Sequence, residues 1–119
     1  MIKFKSQNDI AKIELNNSKG LKFRFLENGA LFSIMHEENL INQVLGNPLE
    51  GSLNNIYIRI HDVSKINYYP ILGPGSNSEF FSSTDQLVWK GTADTITYEC
   101  ILSLDEHNNI WLWDFKIYK

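Results

Sequence analysis

The residues with chemical potential in this 119-residue chain are its acids, three histidines, one cysteine and a set of tyrosines and tryptophans. Paired carboxylates would suit hydrolysis, which needs two acids flanking a scissile bond and one of them held protonated. Glu37, Glu38, Glu50, Asp62, Asp85, Asp94, Glu99, Asp105, Glu106 and Asp114 are scattered, and no spacing singles out a pair. Solvated surface is the ordinary reading of each. Glu50 differs slightly, because it adjoins Gly51 in a loop of small side chains where a carboxylate can accept backbone N–H bonds. His36, His61 and His107 lie far apart with no HxH or HExxH spacing, so no metal site is expected. Cys100, the sole cysteine, allows no internal disulfide and reads as a small buried hydrophobe. The glycine-bearing stretches 73-GPGS-76 and 46-GNPLEG-51 precede no helical pattern, and no cofactor is expected.

Aromatic rings are the better prospect. A flat ring can pack in a core or stack on the apolar face of a sugar. Trp111 and Trp113 alternate with strand neighbours and read as packing. Trp89, between Val88 and Lys90, leans to packing but leaves stacking open. Tyr68 and Tyr69, followed by Pro70, are the most open candidates. Tyr68, Tyr69, Trp89 and Glu50 are therefore the candidate binding residues, with no catalytic residue among them.

The elements that must carry these residues are strands. Apolar and polar residues alternate along nearly the whole chain, and helical periodicity is almost absent. The expected strands are 10–15, 21–26, 30–36, 40–44, 55–61, 86–91, 94–104 and 110–118. Asn28-Gly29 predicts a type I′ hairpin turn between the second and third. Residues 66–81 read as irregular, since Pro70 and Pro74 disfavour a central strand. In 55–61, Ile56, Ile58 and Ile60 share one face and Tyr57, Arg59 and His61 the other. Trp111 and Trp113 share a face opposite Leu112 and Asp114. So apolar a final strand calls for a neighbour on both sides or a central place in its sheet. The loop 45-LGNPLEG-51 reads as a corner stiffened by Pro48, with Asn47 and Glu50 available to hold backbone N–H groups. The fold class is all-β, an antiparallel β-sandwich of one domain spanning 1–119, or the N-terminal part of a larger, supersandwich-like one.

Composition excludes several classes. Net charge is −3 and no basic patch stands out, which argues against nucleic acid. No apolar run reaches the ~20 residues of a membrane span, and the N-terminus lacks a signal-peptide core, so a cytoplasmic protein is expected.

The run 28-NGALFSIMHEENLINQVLGNPLEGSLNNIYIR-59, together with 70-PILGPGSNSEF-80, resembles the N-terminal β-sandwich region of the glycoside phosphorylases of glycoside hydrolase family 94. It is most similar to the 1,2-β-oligoglucan phosphorylase group, and similar also to the related region of cyclic β-1,2-glucan synthases. Residues 87–104 and 110–117 fit the next strands in order. The resemblance implies a much longer enzyme that cleaves β-1,2-glucan with phosphate, inverting the anomeric centre to give α-glucose 1-phosphate. Its general acid, an aspartate, would lie in an (α/α)₆ barrel of the same polypeptide. The sandwich would pack on that barrel and shape substrate access or a homodimer contact. No catalytic residue carries over to this chain, and no activity is expected of it alone. A stand-alone module binding β-glucan and a purely structural or assembly module are the other readings.

Overall fold

The computed structural model describes residues 13–42, 45–52 and 54–118. They form ten strands: β1 (Ile13–Asn16), β2 (Leu21–Phe25), β3 (Leu31–His36), β4 (Asn39–Leu40), β5 (Tyr57–His61), β6 (Ile66–Pro70), β7 (Glu79–Ser82), β8 (Gln86–Ala93), β9 (Ile96–Leu104) and β10 (Trp111–Tyr118). One sheet has the order β1-β2-β3-β4, a second β10-β9-β8-β7, and β5 pairs with β6 as a two-stranded ribbon. All the pairings are antiparallel. The two larger sheets bury their apolar faces against each other as an antiparallel β-sandwich.

Alternation explains which faces meet. Leu21, Phe23 and Phe25 of β2 are buried while Lys22 points out. From the second sheet, Leu87 and Trp89 of β8 and Tyr98, Cys100 and Leu102 of β9 are buried opposite them. Aromatic rings fill the middle. Trp89 lies 5.0 Å from Phe80, 5.4 Å from Phe25 and 5.5 Å from Trp113, centroid to centroid. Trp111 meets Phe23 edge-on at 5.3 Å, so Trp111 and Trp113 do share the inner face of β10. Ring pairs in this range add about 0.5–1.5 kcal/mol beyond the area they bury.

Several expectations are corrected. The β2–β3 hairpin is not closed by a type I′ turn. Gly29 N–H donates to Leu26 O at 2.9 Å, which makes Glu27 and Asn28 the central residues; Gly29 then takes φ +83°, and neither Glu27 nor Asn28 has positive φ. This is a type I turn followed by a left-handed glycine, the three-residue alternative. The segment 66–81 is not wholly irregular, since it holds β6 and β7. Pro70 is tolerated because it ends a strand of a two-stranded ribbon, where a missing N–H removes no central ladder bond. The expected strand 40–44 shortens to β4. Its continuation is replaced by a side chain: Asn42 is buried, its Oδ1 accepts from Ile34 N at 2.7 Å, and its Nδ2 donates to Phe32 O at 3.2 Å. Residues 10–12, 43 and 44 lie outside the described residues. Finally, among the described strands β10 stands at the end of its sheet's order and not in the middle.

Candidate functional site

The two loops that look most like working sites are corners. Asn47 and Gly51 exchange backbone hydrogen bonds at 2.8 Å each. Asn47 Oδ1 accepts from Leu49 N at 3.1 Å and Glu50 N at 2.7 Å. Asn47 therefore supplies the pin for which Glu50 was a candidate, and Glu50 stands exposed with its own amide held. A Cβ on Gly46 would sit 2.1 Å from Leu31 O, so the chain crosses β3 too closely for any other residue. The second loop closes when Ser76 Oγ donates to Ile71 O at 2.7 Å. The loops touch: a Cβ on Gly73, which has φ +80°, would lie 2.9 Å from Ala30 Cβ and 3.8 Å from Gly51 Cα. The two glycine-rich segments thus pack on each other beside the β2–β3 hairpin.

Trp89 is 0% exposed. Its Nε1 donates to Gly29 O at 3.2 Å, tying the hairpin tip to the second sheet. The stacking role considered for it is corrected: its ring faces are occupied by Phe25, Phe80 and Trp113, and no sugar reaches them.

The tyrosines part company, and they lie on a strand where a loop was expected. Tyr69 pairs with Ile58 on the inner face of the ribbon and packs against the core. Tyr68 pairs with Arg59 on the outer face and is 60% exposed. The same register sets Tyr57 opposite Pro70 and His61 opposite Ile66. Tyr57 is 57% exposed. Two phenol rings therefore lie diagonally across one face, with the Arg59 guanidinium beside them. Diagonal neighbours of this kind are about 7–8 Å apart, within reach of one ligand. Ile58, Ile60 and Tyr69 anchor the ribbon from beneath, so the platform sits on a fixed base. Sequence reasoning singled out Tyr68 but missed Tyr57, although the Tyr57-Arg59-His61 alternation was visible; the register with β6 was the missing information.

Two concavities lie elsewhere on the surface, and neither is lined by Tyr57, Arg59 or Tyr68. A hollow of about 560 Å³ on the outer side of the first sheet is floored by Phe32, over which Arg24 lies at 5.6 Å while also pairing with Glu14 at 3.4 Å. A cleft of about 250 Å³ opens between the sheets at Trp111, Trp113, Asn54 and Ile56.

The titratable groups speak for structure. Burial, with a smaller contribution from the charge of Asp114, pushes the Cys100 thiol up to about 12. Such a thiol holds its proton and is no nucleophile. Asp105 is held below the ordinary carboxylate range, first by the His107 N–H at 2.9 Å and then by the Asn108 side chain at 3.1 Å. That is the behaviour of a turn cap and the reverse of what a general acid requires. Among the described residues no three of His, Cys, Asp and Glu gather into a possible metal-binding group, and no helix is long and apolar enough to cross a membrane.

Residues 24–119 match the family described as SOGP N-terminal domain. A 1,2-beta-oligoglucan phosphorylase from Listeria innocua is 28% identical over 97 residues, which make up 82% of this chain and 9% of that protein. The chain thus spans about 9% of the length of the curated relative it matches. Both loop segments that carry the sequence resemblance, 45–51 and 70–80, fall within the matched family span.

Proposed function

The chain belongs to the SOGP N-terminal domain family, and on that premise we propose that it is the non-catalytic β-sandwich of a carbohydrate-active phosphorylase acting on β-1,2-glucan. The working enzyme cleaves the glucan with phosphate and releases α-glucose 1-phosphate in the cytoplasm. The chemistry belongs to an (α/α)₆ barrel of the same polypeptide, and this domain supports the barrel and contacts glucan. Family membership over residues 24–119 is the observation that carries the reading. The loops that identify the family support it further, because their asparagine, serine and glycines are spent on holding corners.

For the glucan contact, the ribbon face of Tyr57, Arg59 and Tyr68 is the surface with suitable chemistry. Phenol rings stack on the C–H face of a pyranose, and a guanidinium donates to hydroxyls in its own plane. The chain incubated with β-1,2-gluco-oligosaccharides and phosphate is expected to release no glucose 1-phosphate, while calorimetric titration detects binding that Tyr57→Ala and Tyr68→Ala each weaken by about 1–3 kcal/mol, the range for stacking on an aromatic ring. Sustained release of glucose 1-phosphate by the chain alone refutes the non-catalytic role. Titrations unaffected by both substitutions refute the ribbon as the contact.

A further inference from the structure

The hollow of about 560 Å³ on the outer side of the first sheet owes part of its lining to a bulge. Arg24 stands opposite Ser33 and Phe25 opposite Leu31, which leaves Phe32 as an extra residue in β3. Leu31 and Ile34 face the main core, so Phe32 and Ser33 both turn outward into the hollow. Bulges re-aim side chains in this way and are over-represented beside active sites. Ser33 is only 3% exposed, and its hydroxyl makes no hydrogen bond among the described residues. Buried polar groups without a partner are uncommon, and this one lines a concavity of the size usual for small-molecule sites.

The rest of the lining carries charge of both signs. Lys22 and Arg24 come from β2, Glu14 from β1 and Glu37 from the turn between β3 and β4. Arg24 lies against Glu14, whereas Lys22 and Glu37 make no ion pair among the described residues. Glu37 takes φ +56°, a conformation uncommon outside glycine, so the turn brings a carboxylate to the hollow where glycine would be the easier choice. Met35 and Leu45 add apolar surface. Two acids balance two bases. A phosphate would meet the carboxylates, and a cation would meet the ammonium and guanidinium. A sugar hydroxyl both donates and accepts, so it suits all of these groups.

We propose that this hollow is a sugar-binding site, separate from the ribbon face, that takes a neutral glucosyl residue. The Ser33 hydroxyl exchanges a hydrogen bond with one sugar hydroxyl. Lys22 and Arg24 donate to others, and Glu14 and Glu37 accept from them. Met35 and Leu45 lie against the C–H groups of the ring. The neutral, hydroxyl-rich character of the ligand rests on the lining alone. That the sugar belongs to β-1,2-glucan rests on the function proposed above.

Amide chemical shifts of the isotope-labelled chain, titrated with β-1,2-gluco-oligosaccharides, are expected to move at Lys22, Arg24, Ser33 and Glu37 and, with a separate affinity, at Tyr57, Arg59 and Tyr68. Ser33→Ala and Glu37→Asn each weaken the response of the hollow about three- to tenfold and leave that of the ribbon unchanged. Tyr57→Ala and Tyr68→Ala do the reverse. Asparagine accepts a positive φ, so Glu37→Asn keeps the turn. Ser33→Ala removes a hydroxyl that the fold does not use, and urea unfolding should show no loss of stability. A clear loss there counts against the proposal, because the hydroxyl would then have a partner in the fold. A response of the hollow that neither variant weakens overturns the proposal, as does one equally strong to inorganic phosphate. Shifts confined to the ribbon overturn the hollow and leave the proposed function standing, and shifts at neither face overturn both.

Discussion

Replacing Trp89 by alanine is the sharpest test of how the sandwich is held together. The side chain is fully buried, touches Phe25, Phe80 and Trp113, and donates one hydrogen bond to Gly29 O. Truncating a buried aromatic to alanine costs about 3–5 kcal/mol from lost transfer energy and the cavity left behind. Taking the donor from a buried carbonyl costs about a further 1–3 kcal/mol. The expected loss is therefore about 4–8 kcal/mol, set against the ~5–15 kcal/mol that holds a typical domain together. Trp89→Ala should be largely unfolded or close to it. Trp89→Phe keeps a ring in the cavity and gives up the N–H, so it should lose about 1–3 kcal/mol. Equilibrium urea unfolding followed by far-ultraviolet circular dichroism measures both, since tryptophan fluorescence itself changes with the substitution. A loss below about 1.5 kcal/mol for the alanine variant would refute the packing argument. If that variant also lost glucan binding while staying folded, the ring would have to be reassigned to a ligand.

Two further outcomes follow from buried polar groups. Asn42→Ala leaves Ile34 N–H without its acceptor and takes from Phe32 C=O one of two donors, the other being Gly46 N–H, and thermal denaturation should register a loss of about 1–3 kcal/mol. Cys100 gives a pH dependence of known sign. Its folded pKa of about 12 lies above the ordinary 9.0, so the folded state keeps a proton that the unfolded chain gives up. The stability it supports is complete below pH 9 and falls as pH rises toward 12, by at most about 1.4 kcal/mol per pH unit. Urea unfolding at stepped pH should show that slope shallower in Cys100→Ala; identical slopes would count against it.

Strand identity was legible because alternation is a local property. Ile58 and Ile60 turn inward and Tyr57, Arg59 and His61 outward, as a period of two requires. The corner at 45–51 was legible too, because Gly46, Asn47 and Pro48 are turn residues wherever they occur. The role of Glu50 was not, since it depends on which of two acceptors reaches the amides first, and Asn47 wins by position. Asn42 was invisible for a related reason. A polar residue in a strand pattern reads as solvent-facing until a neighbouring strand is seen to end and leave its hydrogen bonds open.

The amino-acid sequence by itself determined that the chain folds as strands, which residues share a face, where several reversals fall, and which family the chain resembles. These rest on period-2 patterning and on turn residues with few conformational choices. The tertiary structure decided which strands are neighbours and which lie at the edge. That placed Trp89 in the core and joined Tyr57 to Tyr68 on one outer face. Alternation sorts side chains between two faces but carries no record of the order in which strands pair, because that order is settled by contacts between residues far apart in the chain.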